Sequence, residues 1–326
     1  MARKVNRLLR MASGAAALVC STLLSAQTAL PPGAITMVVG WPAGGPSDSV
    51  ARLISAQMSR TLGQSVVIDN RAGAGGNIGS DIAARAKADG STIMLATATS
   101  HGLNSALYSR LNYDPIKDFA PIGLITTSPG VMLVPKDSPY RSVADLVAKA
   151  RAQPGQLNYG SGGVGSSQHL AGAVFKKLAN VDVAHIPFKG TAPAMTDLMA
   201  GRVDFIITTG ALPFIRSGKV RPLAVAAHQR LPALPDVPTF DEAGVKGFHT
   251  DSWYGLVAPA NTPRAALEKL NLALNQALRD PELQKQFSEQ GSLPVKPMGV
   301  DEYWTFVKRQ MPTAAEQVRI SGAKAD

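Results

Sequence analysis

The residues that could do chemistry in this chain gather at two glycine-rich turns. The first closes an apolar run that starts at Ile35 and reads Trp41-Pro42-Ala43-Gly44-Gly45-Pro46-Ser47-Asp48. A buried strand, a glycine turn and a helix start leave unpaired N–H groups and the positive end of a helix dipole at the turn, which suits an anion. Gly44 and Gly45 let the backbone approach a ligand closely, and Ser47 or Asp48 is expected to cap the helix. The second turn, Gly160-Ser161-Gly162-Gly163-Val164-Gly165-Ser166-Ser167-Gln168-His169-Leu170, follows a short strand at Leu157–Tyr159 and has the same character. Either turn alone also fits an ordinary strand-to-helix connection. Two of them, one in each half of the molecule, would face one another across a cleft.

A carboxylate gripped by two such sets of N–H groups gains charge-assisted hydrogen bonds of about 1.5–3 kcal/mol each. Three or four, less the ordering cost, reach micromolar affinity, about 8 kcal/mol, without a fixed counter-charge. Competing chemistries fit less well. A phosphate-cradling P-loop requires Lys-Ser or Lys-Thr after the glycines, where this chain has Gly45-Pro46-Ser47. Ser167 with His169 or His185 could be read as a hydrolase dyad, but no G-x-S-x-G elbow supports it. His101, His169, His185, His228 and His249 lack ligand spacing, so no metal site is expected. The glycines of Asn70-Arg71-Ala72-Gly73-Ala74-Gly75-Gly76-Asn77-Ile78-Gly79 are spaced as G-x-G-x-x-x-G after the second strand. That departs from a dinucleotide fingerprint and reads as a turn with close helix packing, so no cofactor is expected.

The elements that position these turns alternate strand with helix-sized segment. Val50, Leu53, Ile54, Met58 and Leu62 form one helical stripe that Gly63 ends. Thr92–Ala98 reads as a third strand whose end, Thr99-Ser100-His101-Gly102-Leu103-Asn104, should face the same crevice as the first turn, because ligands of parallel α/β sheets sit beyond the carboxyl ends of strands. His101 reads there either as a ligand contact or as a capping or solvated residue. The apolar stretch Phe119–Lys136 is too long for one strand and breaks at Ser128-Pro129-Gly130, which predicts two strands crossing between lobes. Ser142 and Asp145 form a capping-box start. Further strands are expected at Val183–Phe188, Val203–Thr209 and Val220–Ala227, with a helix opening at Thr191 and Pro193, and Trp253–Pro259 reads as a strand returning to the first lobe. Helices close the chain from Thr262, from Asp280 and from about Val300, the last expected to bend near Pro312. The predicted class is α/β, two lobes with a mainly parallel sheet in each: 30–128 with 250–326 as lobe 1, and 129–249 as lobe 2.

Arg3, Lys4, Arg7 and Arg10 ahead of the apolar Ala15–Leu24, with small residues through Ala29, make residues 1–29 a secretory signal, cut after Ala26 or Ala29. A lipoprotein reading would anchor Cys20, but Ala17-Leu18-Val19 match a lipobox poorly. Cys20 is the only cysteine, so the mature chain carries neither a disulfide nor a thiolate nucleophile. The net charge of +10 falls to +6 without the four signal cations and is spread along the sequence, which argues against nucleic-acid binding. The expected location is the periplasm.

Taken in order, WPAGGPSD, NRAGAGGNIGSDIAARAKADGST, DFAPIGLI, GSGGVGSSQHLAG, IPFKGTAPAMTDLMAGRVD and IRSGKVRPLAV resemble the Bug-type periplasmic solute-binding receptors of tripartite tricarboxylate transporters. The resemblance covers essentially the whole mature chain. It implies a periplasmic-binding-protein (Venus-flytrap) fold and a non-enzymatic, monomeric receptor that captures a small carboxylate for membrane permease subunits. It also implies that Ala43, Gly44, Gly45 and Ser47 hold the carboxylate with Gly162, Gly163, Gly165, Ser166 and Ser167. Thr99, Ser100, His101, Asn104, Lys189, Gly190, Thr208 and Thr209 would line the remainder of the pocket. Trp41 stands where the family usually has phenylalanine, and Thr208-Thr209-Gly210 where an Asp-Asn pair is common. Without that Asp a ligand ammonium loses its partner, so an aromatic or aliphatic mono- or dicarboxylate is favoured over an amino acid. An orphan receptor serving a sensor kinase is the alternative within binding proteins, and a serine hydrolase the alternative of another class.

Overall fold

The computed structural model describes residues 30–249 and 251–325. The expected signal segment lies outside the described residues. In chain order the elements are β1 (Ile35–Val39), α1 (Pro46–Leu62), β2 (Val66–Asn70), α2 (Asn77–Ala84), β3 (Thr92–Thr97), α3 (Asn104–Leu107), β4 (Phe119–Pro129), β5 (Val131–Pro135), α4 (Val143–Ala152), β6 (Asn158–Ser161) and α5 (Ser167–Leu178). There follow β7 (Ala184–Pro187), α6 (Thr191–Met199), β8 (Ile206–Thr208), α7 (Leu212–Arg216), β9 (Val220–Val225), β10 (Asp251–Pro259), α8 (Arg264–Ala277), α9 (Pro281–Glu289), β11 (Leu293–Pro294) and α10 (Val300–Ser321). None of the described helices is long and apolar enough to cross a membrane.

The first lobe is built on a six-stranded sheet ordered β11-β4-β10-β3-β1-β2. The second carries a three-stranded sheet, β8-β5-β9, beside the pair β6-β7, which a bridge from Tyr159 to Phe205 links to the strand leading into β8. Most strands of each lobe run in one direction, as expected: β1, β2, β3 and β4 in the first, with β10 and the short β11 reversed, and β6, β7, β8 and β9 in the second, with β5 reversed. β1 pairs in parallel with β2 and β3, and β6 with β7, but β4, β5 and β10 make antiparallel pairs. The cause lies in the crossings: the chain leaves the first sheet along β4 and re-enters it along β10, so these neighbours run in opposite senses. The break at Gly130 between β4 and β5 falls where the Ser-Pro-Gly interruption predicted it.

Each sheet is covered by helices. On one face of the first, α1 and α8 bury Val50, Ile54, Met58, Leu270 and Leu274 against Met37, Val39, Leu95 and Leu256. On the other, Tyr303 and Val307 of α10 pack with Met94, Trp253 and Val257. The far half of α10 leaves that lobe: Ala314 and Val318 join Leu103, Leu107 and the α5 residue Leu170 in a small apolar cluster. α10 therefore braces both lobes, and it remains one helical element through Pro312.

Local signals behave as their chemistry dictates, with informative exceptions. Ser142 Oγ accepts from Asp145 N–H while the Asp145 carboxylate accepts from Ser142 N–H, a complete capping box. Gly63 ends α1 in the left-handed region, φ 67°. α1, however, begins at Pro46 with Gly45 as its N-cap and no side-chain cap, so neither Ser47 nor Asp48 plays the predicted role. Proline is preorganised for the first helical position and moves the start forward. The glycines of residues 73–79 serve packing: a Cβ on Gly79 would sit 2.8 Å from Gly40 Cα, so α2 lies directly on the end of β1. The segment Thr99–Leu103, expected to be an open loop, is a wide helical turn running into α3.

Candidate functional site

Between the lobes lies a cavity of about 600 Å³, its open mouth included. The N-terminal ends of three helices meet there: α1 through Gly45, Pro46 and Ser47, α5 through Ser167 and Gln168, and α6 through Gly190, Thr191, Ala192 and Pro193. The opening N–H groups of a helix have no intrahelical acceptor, and the dipole adds positive potential at that end. Trp41, Pro42 and Ala43 form one wall, and Thr97, Thr99, Thr209, Ser252 and Tyr254 the rest. Not one lining side chain is charged. Any attraction for an anion here must come from oriented amides and hydroxyls.

Side-chain bonds tie the helix ends together. Gln168 Nε2 donates to Thr191 Oγ1 at 2.9 Å and to Thr208 Oγ1 at 3.2 Å, fixing the starts of α5 and α6 to the end of β8. Tyr254 OH shares a hydrogen bond with Thr209 Oγ1 at 3.2 Å, which links the first sheet to the second lobe on the cavity wall. Burial pushes the Tyr254 phenol above its ordinary pKa, against hydrogen bonds to Thr209 and Ser47, so it stays neutral. The lobes touch through glycines: a Cβ on Gly190 would lie 3.0 Å from Pro42 Cγ, and one on Gly210 3.2 Å from Pro46 Cβ.

Both glycine turns bond internally more than expected. Gly44 N–H donates to Asp48 Oδ2 at 3.0 Å, and Asp48 also accepts from Asn70 Nδ2 and from the Arg52 guanidinium. Burial raises the Asp48 pKa, but Arg52, Gly44 and Asn70 together bring it below the usual value. Gly44 is thus turned toward the protein, while Ser47, at the second helical position of α1, faces the cavity. In the second turn Gly163 N–H donates to Ser161 Oγ, Gly165 N–H to His169 Nδ1 and Ser166 N–H to Gly163 O. Ser166 caps α5, its Oγ accepting from His169 N–H, and Ser167 and Gln168 are the residues of this turn that line the cavity.

Of the residues predicted for the site, the fold brings Trp41, Ala43, Gly45, Ser47, Thr99, Ser167, Gly190 and Thr209 together on the cavity wall. Gly44, Gly162, Gly163, Gly165 and Ser166 shape the turns behind it. Thr208 is buried behind Gln168, and Lys189 is exposed and outside the lining. Ser100, His101 and Asn104 are buried in the first lobe. His101 stands edge-on to Phe119 with centroids 4.7 Å apart, Nδ1 3.0 Å from Ser100 Oγ, and burial lowers its pKa to about 3. Asn104 Nδ2 donates to Gly75 O and to Asn77 Oδ1, bracing the turn before α2. These three are packing residues because the Thr99–Leu103 coil turns them into the first lobe and leaves Thr99 as its residue on the wall of this cavity.

Sequence reasoning passed over Thr97, Gln168, Thr191, Ser252 and Tyr254. Tyr254 offered a signal, a phenol inside an otherwise apolar strand. Gln168 stood within the quoted motif but carried no spacing rule. The hydrolase arrangement finds no geometric support: His169 Nδ1 accepts from Gly165, His185 Nε2 pairs with Ser161 Oγ at 2.6 Å, and the two rings stack 4.2 Å apart, supporting the turn.

Comparisons with known proteins place this geometry in a family. Residues 50–319 match the family model described as the tripartite tricarboxylate transporter family receptor. A protein encoded in the tcbD–tcbE intergenic region of Pseudomonas sp. (strain P51) is 43% identical over 274 residues, 83% of this chain and 81% of that protein. Among solved structures, R. palustris Rpa4515 with adipate aligns with a TM-score of 0.86 at 36% identity, covering 90% of this chain and 98% of that one. MatC (Rpa3494) from Rhodopseudomonas palustris with bound malate aligns with a TM-score of 0.84 at 35% identity, covering 89% and 100%. With two α/β lobes enclosing an uncharged cavity of helix N-termini, and a family match over most of its length, the chain belongs to the periplasmic solute-binding receptors of the tripartite tricarboxylate transporter family.

Proposed function

We propose that this receptor captures a small carboxylate in the periplasm, between its lobes, and presents it to the membrane permease of a tripartite tricarboxylate transporter. The observation that carries the reading is the meeting of three helix N-termini on a cavity without a charged side chain. Such a site stabilises an anion through N–H groups already held in place, and an ammonium finds no carboxylate partner in it. Relatives solved with adipate and with malate support the ligand class. In this reading the amides of Gly45, Ser47, Ser167 and Thr191 hold the carboxylate, directly or through water, and Trp41 offers a ring face to the ligand body. The lobes divide as 30–128 with 250–326 and 129–249, hinging at Gly130.

Calorimetric titration of the chain from Leu30 onward with malate, adipate, an amino acid and the diamide of adipate tests the reading. Saturable binding of a carboxylate with none of the diamide is expected. Equal affinity for the diamide would remove the anion site as the basis of recognition.

A further inference from the structure

A second cavity, larger than the first at about 980 Å³ with its mouth included, lies against it on the side of α10. Ser167, Thr209 and Ser252 border both, so the residues common to the two spaces are small and hydroxylated. Beyond them the walls become apolar: Leu170, Ala171 and Val174 from α5, Ile207 from β8, Leu103 and Trp253 from the first lobe. The far rim is polar, made by Gln310, Thr313 and Gln317 of α10 and by His228 and His249, whose rings stack 3.9 Å apart. None of these side chains takes part in holding the carboxylate. They come from segments of both lobes that the packing of α10 onto α5 holds side by side.

From this arrangement we infer that the second cavity is a distal subsite for the apolar body of the ligand, and that the receptor selects carboxylates carrying an aryl group or a long alkyl chain. The inference rests on the carboxylate reading of the first cavity. With the carboxylate at the helix N-termini, a body longer than a few carbons passes the three small residues and is buried against Leu170, Val174, Ile207 and Trp253. The polar rim on α10 leaves room for a polar group at the far end. A short dicarboxylate fills only the first cavity and gains nothing from this surface. Burying a phenyl group or several methylenes, less the ordering costs, is enough to separate the two ligand classes by at least about tenfold.

The test uses the mature chain and its Thr313→Trp variant, with butanoate, phenylbutanoate, adipate and sebacate as probes in calorimetric titrations. Thr313 is exposed on the cavity rim, so the larger ring is accommodated at the surface without disturbing the core. Expected are phenylbutanoate binding at least about tenfold tighter than butanoate and sebacate tighter than adipate, both preferences shrinking by about tenfold in Thr313→Trp while adipate stays within about twofold. His228→Trp fills the same space from the opposite rim and should act alike, which guards against a defect peculiar to α10. Adipate binding with no preference for the longer probes, or preferences untouched by both variants, would overturn this inference and leave the carboxylate reading standing. Failure of every carboxylate to bind would remove both.

Discussion

At the scale of single residues, Gly45 and Gly163 separate a binding role from a structural one. Gly45 has φ −89°, and a Cβ there would meet only Pro42 O at 3.6 Å, so a side chain is tolerated by the backbone and projects beside the cavity. Gly45→Val is therefore expected to melt within a few degrees of the parent and to lose at least about tenfold in carboxylate affinity, read by calorimetry. Gly163 has φ 117° and would bring a Cβ within 3.1 Å of Phe188 O, so Gly163→Val should lower the melting temperature whether or not the turn binds anything. His101 supplies a pH prediction. Burial depresses its pKa from 6.5 to about 3, so between those values the unfolded chain binds a proton that the folded one refuses. Stability is then full above about pH 6.5 and falls as the pH drops toward 3, and His185, lowered to about 4 by burial and by neighbouring His169, adds to the fall. In His101→Leu the melting temperature should drop less between pH 7 and pH 4 than in the parent, and an unchanged slope would place the acid-sensitive group elsewhere.

The elements show what a sequence can and cannot disclose. Gly63, the Ser142–Asp145 capping box and the Ser-Pro-Gly break at 128–130 act through neighbours within a few positions, and each marks an element boundary where the local rule puts it. Gly45, Ser47 and Ser167 were legible for the same reason, lying where a strand turns into a helix. The partners that complete the cavity were not: Gln168 reaches Thr191 and Thr208, and Tyr254 reaches Thr209, across separations that follow no spacing rule. The parallel run of β1, β2, β3 and β4 was legible from the alternation of strand and helix, whereas the reversal of β10 was not, because it follows from how the chain crosses between lobes. Asp48, expected as a helix cap, locks the first turn by accepting from Gly44, Asn70 and Arg52. Replacing it with Asn leaves part of that buried network unpaired, a change that costs about 1–3 kcal/mol. Asp48→Asn should accordingly shift denaturant unfolding to lower concentration and weaken carboxylate binding together, whereas weakened binding with unchanged stability would mean the turn is held by other contacts.

For the whole molecule, the lobes meet where glycine leaves room for proline: Gly190 against Pro42 and Gly210 against Pro46. A side chain at Gly210, where φ is 63°, would press on Pro46 and hold the lobes apart. Gly210→Asn keeps a residue that tolerates the left-handed region, so it should fold but bind carboxylate at least about tenfold more weakly, with a larger radius of gyration by solution scattering under saturating ligand. Unaltered scattering and affinity would show that closure does not pass through this contact. The brace of α10 across both lobes fits the same picture, since a closing motion must carry its far half with α5.

The most direct measurement is a thermal-shift comparison of the chain from Leu30 onward with adipate and with its uncharged diamide at matched concentrations. At about a thousandfold excess over the dissociation constant, linkage gives a bound ligand roughly 4 kcal/mol of added stability, a rise of several degrees in melting temperature. A cavity built from helix N-termini predicts that rise for the dicarboxylate and none for the diamide. Equal shifts with both would contradict it.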